Sequence, residues 1–162
     1  MLRRIVYFLA LLLTALALAP AMAHLLELPN KIDLARDQYL LVQSIYRGWA
    51  LLGVVIVPAL IATLVLPFLV RRRRTAFVAA VTGFVALAAS HALFWIFTYP
   101  ANVATGNWTS LPGDWRALRS QWEYSHAAAA LLTLVAMIAL IVSVLAWARE
   151  PADAYAADPM PT

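Results

Sequence analysis

Residues 44–99 read SIYRGWALLGVVIVPALIATLVLPFLVRRRRTAFVAAVTGFVALAASHALFWIFTY, two long apolar runs joined by four consecutive arginines. A helix rises ~1.5 Å per residue, so each run is long enough to cross a hydrocarbon core of ~30 Å. A backbone in lipid must satisfy its own polar groups, and each run therefore predicts a helix. Working outward, the same character recurs on both sides, which predicts spans at about 5–28, 44–70, 75–99 and 122–148. Pro20, Pro58 and Pro67 lie inside these runs and predict kinks rather than breaks.

Composition agrees. Apolar residues make up 64% of the 162 and charged residues only 12%, and the mean hydropathy is +0.81. A soluble domain is about half apolar and about a quarter charged, so a water-soluble enzyme and a nucleic-acid binder are both excluded. The net charge of +4 does not reopen the second, because four of the twelve basic residues form the one block Arg71–Arg74. Without cysteine there is no disulfide, iron–sulfur cluster or thiolate metal site. Arginine outnumbers lysine eleven to one and alanine is abundant, the composition of a GC-rich bacterial genome. The fold class expected is all-α: one integral membrane four-helix bundle over residues 1–150, with a polar, proline-rich tail at 151–162 that reads as disordered.

Arg3, Arg4, Arg71 to Arg74 and Arg149 flank the spans on one side, in short segments hard against the span ends. Lys31, Arg36, Arg47, Arg116 and Arg119 are scattered through longer loops on the other. The positive-inside rule then puts both termini in the cytoplasm of a bacterial cell, and the loops 29–43 and 100–121 outside its cytoplasmic membrane. Six tryptophans and tyrosines gather toward that outer side, as an aromatic belt would: Trp49, Trp95, Tyr99, Trp108, Trp115 and Trp122. In the first outer loop Asp33 can cap a helix with Leu34, Leu41, Ile45 and Trp49 at helical spacing, which reads as an interfacial helix. The second has turn residues and a short helical piece near 115–121. A signal peptide competes for the N-terminus, with Ala21-Met22-Ala23 as its cleavage site, but the apolar run continues through Leu28.

All three histidines lie in the spans, and the only two carboxylates inside spans accompany two of them. Glu27 follows His24 by three and Glu123 precedes His126 by three, so each pair shares a helix face. Both pairs fall within about a turn of the outer span ends, and His91 lies ~13 Å below the outer end of its span. Ionisable groups in a membrane are costly and face a bundle interior or a cavity. His24, Glu27, His91, Glu123 and His126 are therefore the candidate polar or metal site, with His126, Glu123 and His91 as candidate catalytic groups. An imidazole-and-carboxylate set suits Fe, Mn, Zn or Cu. Haem ranks lower, because it wants two histidines at equal depth. The plainer alternative is that these groups pair with one another or with Arg47, Arg116 or Arg119. Tyr39, Gln43 and Tyr46 share a face leading toward the same outer half and would line an entrance or sit at the interface.

With HLLELPNKI after the first span, TYPANVAT after the third and WRALRSQWEYSHA opening the fourth, residues 5–148 resemble the anthrone-oxygenase-like family of small four-helix membrane proteins. The motif positions are Pro100, Ala101 and Asn102, with Trp122 and His126. The resemblance implies oxidation of a lipophilic aromatic substrate with dioxygen. Most bacterial members have no known function. Two readings stand: a membrane oxidoreductase whose site opens to the outer leaflet, where a carboxylate takes a proton from an activated C–H and a His or metal stabilises the oxyanion; or a non-catalytic membrane subunit whose polar groups set helix packing and partner contact.

Overall fold

The computed structural model describes residues 1–149, and the tail assigned to 151–162 lies outside the described residues. Helix α1 spans Leu2–Lys31, α2 Arg36–Gln43, α3 Gly53–Val70, α4 Arg74–Leu93, α5 Tyr99–Ala104 and α6 Trp115–Ala148. A π turn, Phe94–Thr98, joins α4 to α5, and single 3-10 turns at Ser44–Tyr46 and Trp49–Leu52 lead from α2 into α3. There is no strand among the described residues. Four helical stretches are long and apolar enough to cross a membrane: Leu2–Lys31, Trp49–Val70, Arg74–Ala104 and Trp115–Ala148. The architecture is that of a multi-pass integral membrane protein.

The four long helices close into a ring, α1 packing on α3 and α6, and α4 packing on α3 and α6. Their outer faces carry exposed Phe8, Leu12, Ile61, Phe68, Val85 and Ile138, apolar surface suited to a bilayer. Small residues bring α4 and α6 together: Ala76, Ala80, Gly83 and Ala86 are buried on one, Ala127, Ala130, Thr133 and Ala136 on the other. A methyl group added at Gly83 would sit 3.0 Å from Leu140 Cγ, tighter than ordinary contact, so Leu140 would have to give way for any larger residue. Hydroxyls stitch the same seam. Ser143 donates to the Ala76 carbonyl at 2.8 Å, and Tyr7 of α1 meets Ser143 Oγ at 2.9 Å. At the arginine end of the ring, Arg73 Nη1 donates to the carbonyls of Trp147 and Arg149, satisfying the last turn of α6.

Three sequence expectations need correction, and all three bear on the site. First, α1 does not stop at Leu28. It runs unbroken through Pro20, Ala21-Met22-Ala23 and Pro29 to Lys31. A proline forfeits only its own N–H bond, and Ile32 N–H closes the final turn onto Leu28 O at 3.0 Å. Second, the third span continues beyond residue 99, because the π turn adds a residue per turn and Pro100 falls in the first turn of α5, where its missing N–H is not needed. Third, residues 115–121 are no separate piece but the first two turns of α6.

The interfacial helix is also arranged differently. Its cap is Ala35, whose N–H is met by the Gln38 side chain, and not Asp33. Leu41 and Ile45 are exposed, while Tyr39 and Gln43 are buried. The helix thus turns its Tyr39–Gln43 face into the bundle. Trp108, Trp115 and Trp122 are buried with Tyr39 and Ala101 in one cluster, rather than spread as a belt.

Candidate functional site

On α1, Pro20, His24, Glu27 and Lys31 recur at spacings of four, three and four, one face of the helix. On α6, Arg119, Trp122, Glu123 and His126 occupy the corresponding stretch. The two faces meet at the end of the ring away from the arginines, under α2.

The centre of the site is a lysine. Lys31 Nζ lies 3.3 Å from Glu27 Oε2 and 3.3 Å from Glu123 Oε1. It also donates to the Tyr46 hydroxyl at 2.6 Å, and that hydroxyl donates to Glu27 Oε2. Tyr39 donates to Glu123 Oε1 at 2.9 Å, and Gln43 Nε2 donates to Tyr39 at 2.5 Å. The network thus runs from Glu27 through Tyr46 and Lys31 to Glu123, Tyr39 and Gln43, linking α1, α2, the following 3-10 turn and α6. Side-chain exposure falls from 34% at Glu27 to 3% at Lys31 and 0% at Glu123.

Tyr39 and Tyr46 belong to the segment between the first two spans, and both are held as neutral phenols. Burial pushes the Tyr39 hydroxyl well above the ordinary phenol range, and the Glu123 carboxylate beside it adds to the effect. Burial likewise pushes Tyr46 up, followed by its hydrogen bond to Glu27. Each phenol therefore stays a hydrogen-bond donor to the glutamate oxygen it meets.

The imidazoles of His24 and His126 stack 4.1 Å apart, centroid to centroid. His24 also packs on Tyr46 at 4.7 Å, Trp122 at 5.1 Å and Trp49 at 5.4 Å. Lys31 Nζ lies over the same Tyr46 and Trp122 rings, at 4.5 and 4.9 Å. Imidazole and ammonium thus share two aromatic neighbours. His24 Nδ1, Glu123 Oε2 and Gln43 Oε1 are buried without a hydrogen-bond partner. Above them Arg119 stacks on Tyr39 and Trp115 and donates from Nη1 to the Leu34 carbonyl at 2.8 Å. Asn102 of α5 accepts from the indoles of Trp122 and Trp108, at 2.8 and 3.1 Å, fixing the Trp122 ring that His24 and His126 lean on.

One open groove reaches this cluster and a second lies behind Trp49. One of about 260 Å³ is lined by Glu27, Asn30, Lys31, Leu34, Val42 and Ile45. The other, about 340 Å³, is lined by Pro20, Gly48, Trp49, Leu51 and Leu52, and is apolar. Trp49 stands between this groove and His24. Gly48, in the left-handed region at φ 85°, turns the chain there.

Of the five residues singled out from the sequence, four come together: His24, Glu27, Glu123 and His126. His91 does not join them. It lies on α4, half-buried, where its Nε2 accepts the indole N–H of Trp95 at 3.0 Å and its ring pairs with Phe94. At this level of α4 it is Ser90 that reaches α6, its hydroxyl bonded to Thr133 at 3.0 Å, while His91 stays with Trp95. The expected five-membered metal site is thereby corrected. Among the described residues no three His, Asp or Glu side chains are grouped to hold a metal ion, and the cation between the two carboxylates is Lys31. Tyr39, Gln43 and Tyr46, read as an entrance or interface, are partners of the carboxylates themselves.

Lys31 was missed, having been assigned to a loop as a topology charge, and Arg119, expected as a pairing partner of the acids, meets the Leu34 carbonyl and the Tyr39 ring instead. The signal for Lys31 was its spacing of four from Glu27, which counts only if the helix survives Pro29. No protein-family model, no curated protein and no solved structure matches the chain.

Proposed function

We propose that the protein is an oxidoreductase of the bacterial cytoplasmic membrane with both termini cytoplasmic, acting as an acid–base catalyst on a lipophilic aromatic substrate. The observation that carries this reading is the shared footing of the His24–His126 stack and Lys31 on Tyr46 and Trp122. A base and a fixed positive charge beside an apolar groove are the parts needed to ionise a carbon acid and hold its oxyanion. The substrate enters from lipid by the groove at Pro20, Trp49 and Leu52, past Trp49. An imidazole takes the proton from a ring CH2 opposite a carbonyl, and Lys31 stabilises the charge that moves onto that oxygen. The resemblance to anthrone-oxygenase-like proteins supplies dioxygen as the oxidant. The CH2 becomes a second carbonyl, with one oxygen atom in the product and the other in water. His91 has no part in this chemistry, since its imidazole is engaged with Trp95 away from the cluster.

The test is oxygen uptake by the purified protein in lipid with an anthrone as substrate. Uptake stoichiometric with substrate, lost in His24→Ala and His126→Ala and kept in His91→Ala, supports the reading. Rates equal to protein-free vesicles overturn it. A second reading, a non-catalytic subunit whose cluster locks the helices, is favoured by one observation: Lys31 is already committed to both carboxylates and to Tyr46. Variants of the cluster would then lose stability and show no substrate-dependent uptake.

A further inference from the structure

We propose that Glu123 is a proton store, loaded with a single proton from the groove through Glu27, Tyr46 and Lys31. The inference stands on the charge and geometry of the cluster, with or without a substrate.

Lys31 serves two carboxylates at once. Two carboxylates, Glu27 and Glu123, face one ammonium, Lys31, leaving the trio one negative charge in excess. Tyr39 and Tyr46 bring neutral phenols. Arg119 places its guanidinium on the Tyr39 and Trp115 rings and donates to Leu34 O. His24 and His126 stack on each other, so charge on one would sit against charge on the other. Of the two carboxylates Glu27 is partly exposed to the groove, whereas Glu123 has no exposed surface and one oxygen without a partner, so Glu123 is where a charge costs most and a proton is best placed.

Hydrogen bonding says where the proton sits. Glu123 Oε1 accepts from Tyr39, whereas Oε2 is buried without a partner. Gln43 Oε1 is buried without a partner too, and Gln43 Nε2 is bonded to that same Tyr39 hydroxyl. Two groups hung on one hydroxyl thus each present an unpartnered acceptor. A proton on Glu123 Oε2 turns one of these two lone acceptors into a donor, so that two buried acceptors no longer compete for donors that are absent.

The route follows the gradient of burial. Glu27 and Lys31 line the open groove of about 260 Å³. Glu27 takes a proton from water there. Lys31 gives one of its three N–H protons to Glu123 and is refilled from Glu27, directly across 3.3 Å or through the Tyr46 hydroxyl. At the end Glu27 is again a carboxylate, Lys31 again an ammonium and Glu123 a neutral acid. One proton has entered and no other bond has changed.

Infrared spectroscopy of the whole protein in lipid nanodiscs tests this. Near neutral pH the spectrum should hold a protonated-carboxyl band that moves in D2O and is absent from Glu123→Gln. If Glu123→Gln does not fold, Glu123→Asp, which keeps the carboxyl, must shift the band. A band absent from the native protein, or unchanged in both variants, overturns the store. Glu27→Gln should keep the band but slow its exchange after transfer to D2O roughly a hundredfold, the lower end of what a positioned proton donor contributes. Exchange at the native rate in Glu27→Gln overturns the route.

Discussion

Lys31 Nζ lies 3.3 Å from Glu123 Oε1, and both side chains are withdrawn from the surface. Neither has water to fall back on. Lys31→Met should therefore destabilise the bundle, by less than the roughly 3–5 kcal/mol of a fully buried stranded ion, because the charge left unpaired is that of Glu27, which is partly exposed. Adding Glu27→Gln to Lys31→Met should recover part of that loss, because no lone charge then remains. Denaturant unfolding in mild detergent measures both, and a double variant no more stable than Lys31→Met would show that the two do not couple.

Alkali should reach Tyr39 and Tyr46 late. Both phenols are pushed above the ordinary value of 10.0 by burial, with Glu123 acting next on Tyr39 and Glu27 next on Tyr46. The sign follows from proton binding: above pH ~10 an unfolded phenol releases its proton while the folded one keeps it. The stability these two contribute is full below that pH and declines as pH rises above it. Tyrosinate absorbance should show the early rise unchanged in Tyr39→Phe and in Tyr46→Phe, with amplitude lost only from the late phase. Loss from the early phase would mean that the substituted tyrosine titrates as a free phenol.

Gly83→Ala should destabilise the bundle by about 1–3 kcal/mol, as overpacking does, since its new methyl group would meet Leu140 Cγ at 3.0 Å and the Ala136 carbonyl at 3.4 Å. The penalty should shrink in a Leu140→Ala background, where the nearest obstacle is gone. Equal penalties in both backgrounds would place the strain elsewhere.

The proposed orientation puts the arginine end in the cytoplasm. A reporter fused after Arg74 should then behave as cytoplasmic, and one inserted near Gly106, in the turn after α5, as external. The reverse pattern would invert the protein in its membrane and move the site to the cytoplasmic face.

The Glu123–His126 and His24–Glu27 pairs were legible because three-residue spacing is a property of a single helix. The same holds for the four spans, which need only unbroken apolar length. His91 was misjudged for a related reason. Its depth could be counted along the chain, but the rotation of α4 about its own axis could not. That rotation puts Ser90 against Thr133 of α6 and leaves His91 bonded to Trp95. Tyr39 and Gln43 could be placed on one face of α2, though nothing local said that this face would turn inward while Leu41 and Ile45 stayed out.

What the sequence determined by itself was therefore the helical, membrane-crossing character of the chain and the presence of acid and imidazole at one level. These follow from hydropathy and from periodicity within single segments. Only the tertiary structure decided that the cation among those acids is Lys31, that Tyr39 and Tyr46 hold the carboxylates, and that His91 stands apart. Ion pairs and hydrogen bonds are governed by distance in space. Here that distance depended on a helix that continues past Pro29 and on α6 bringing Glu123 to meet it.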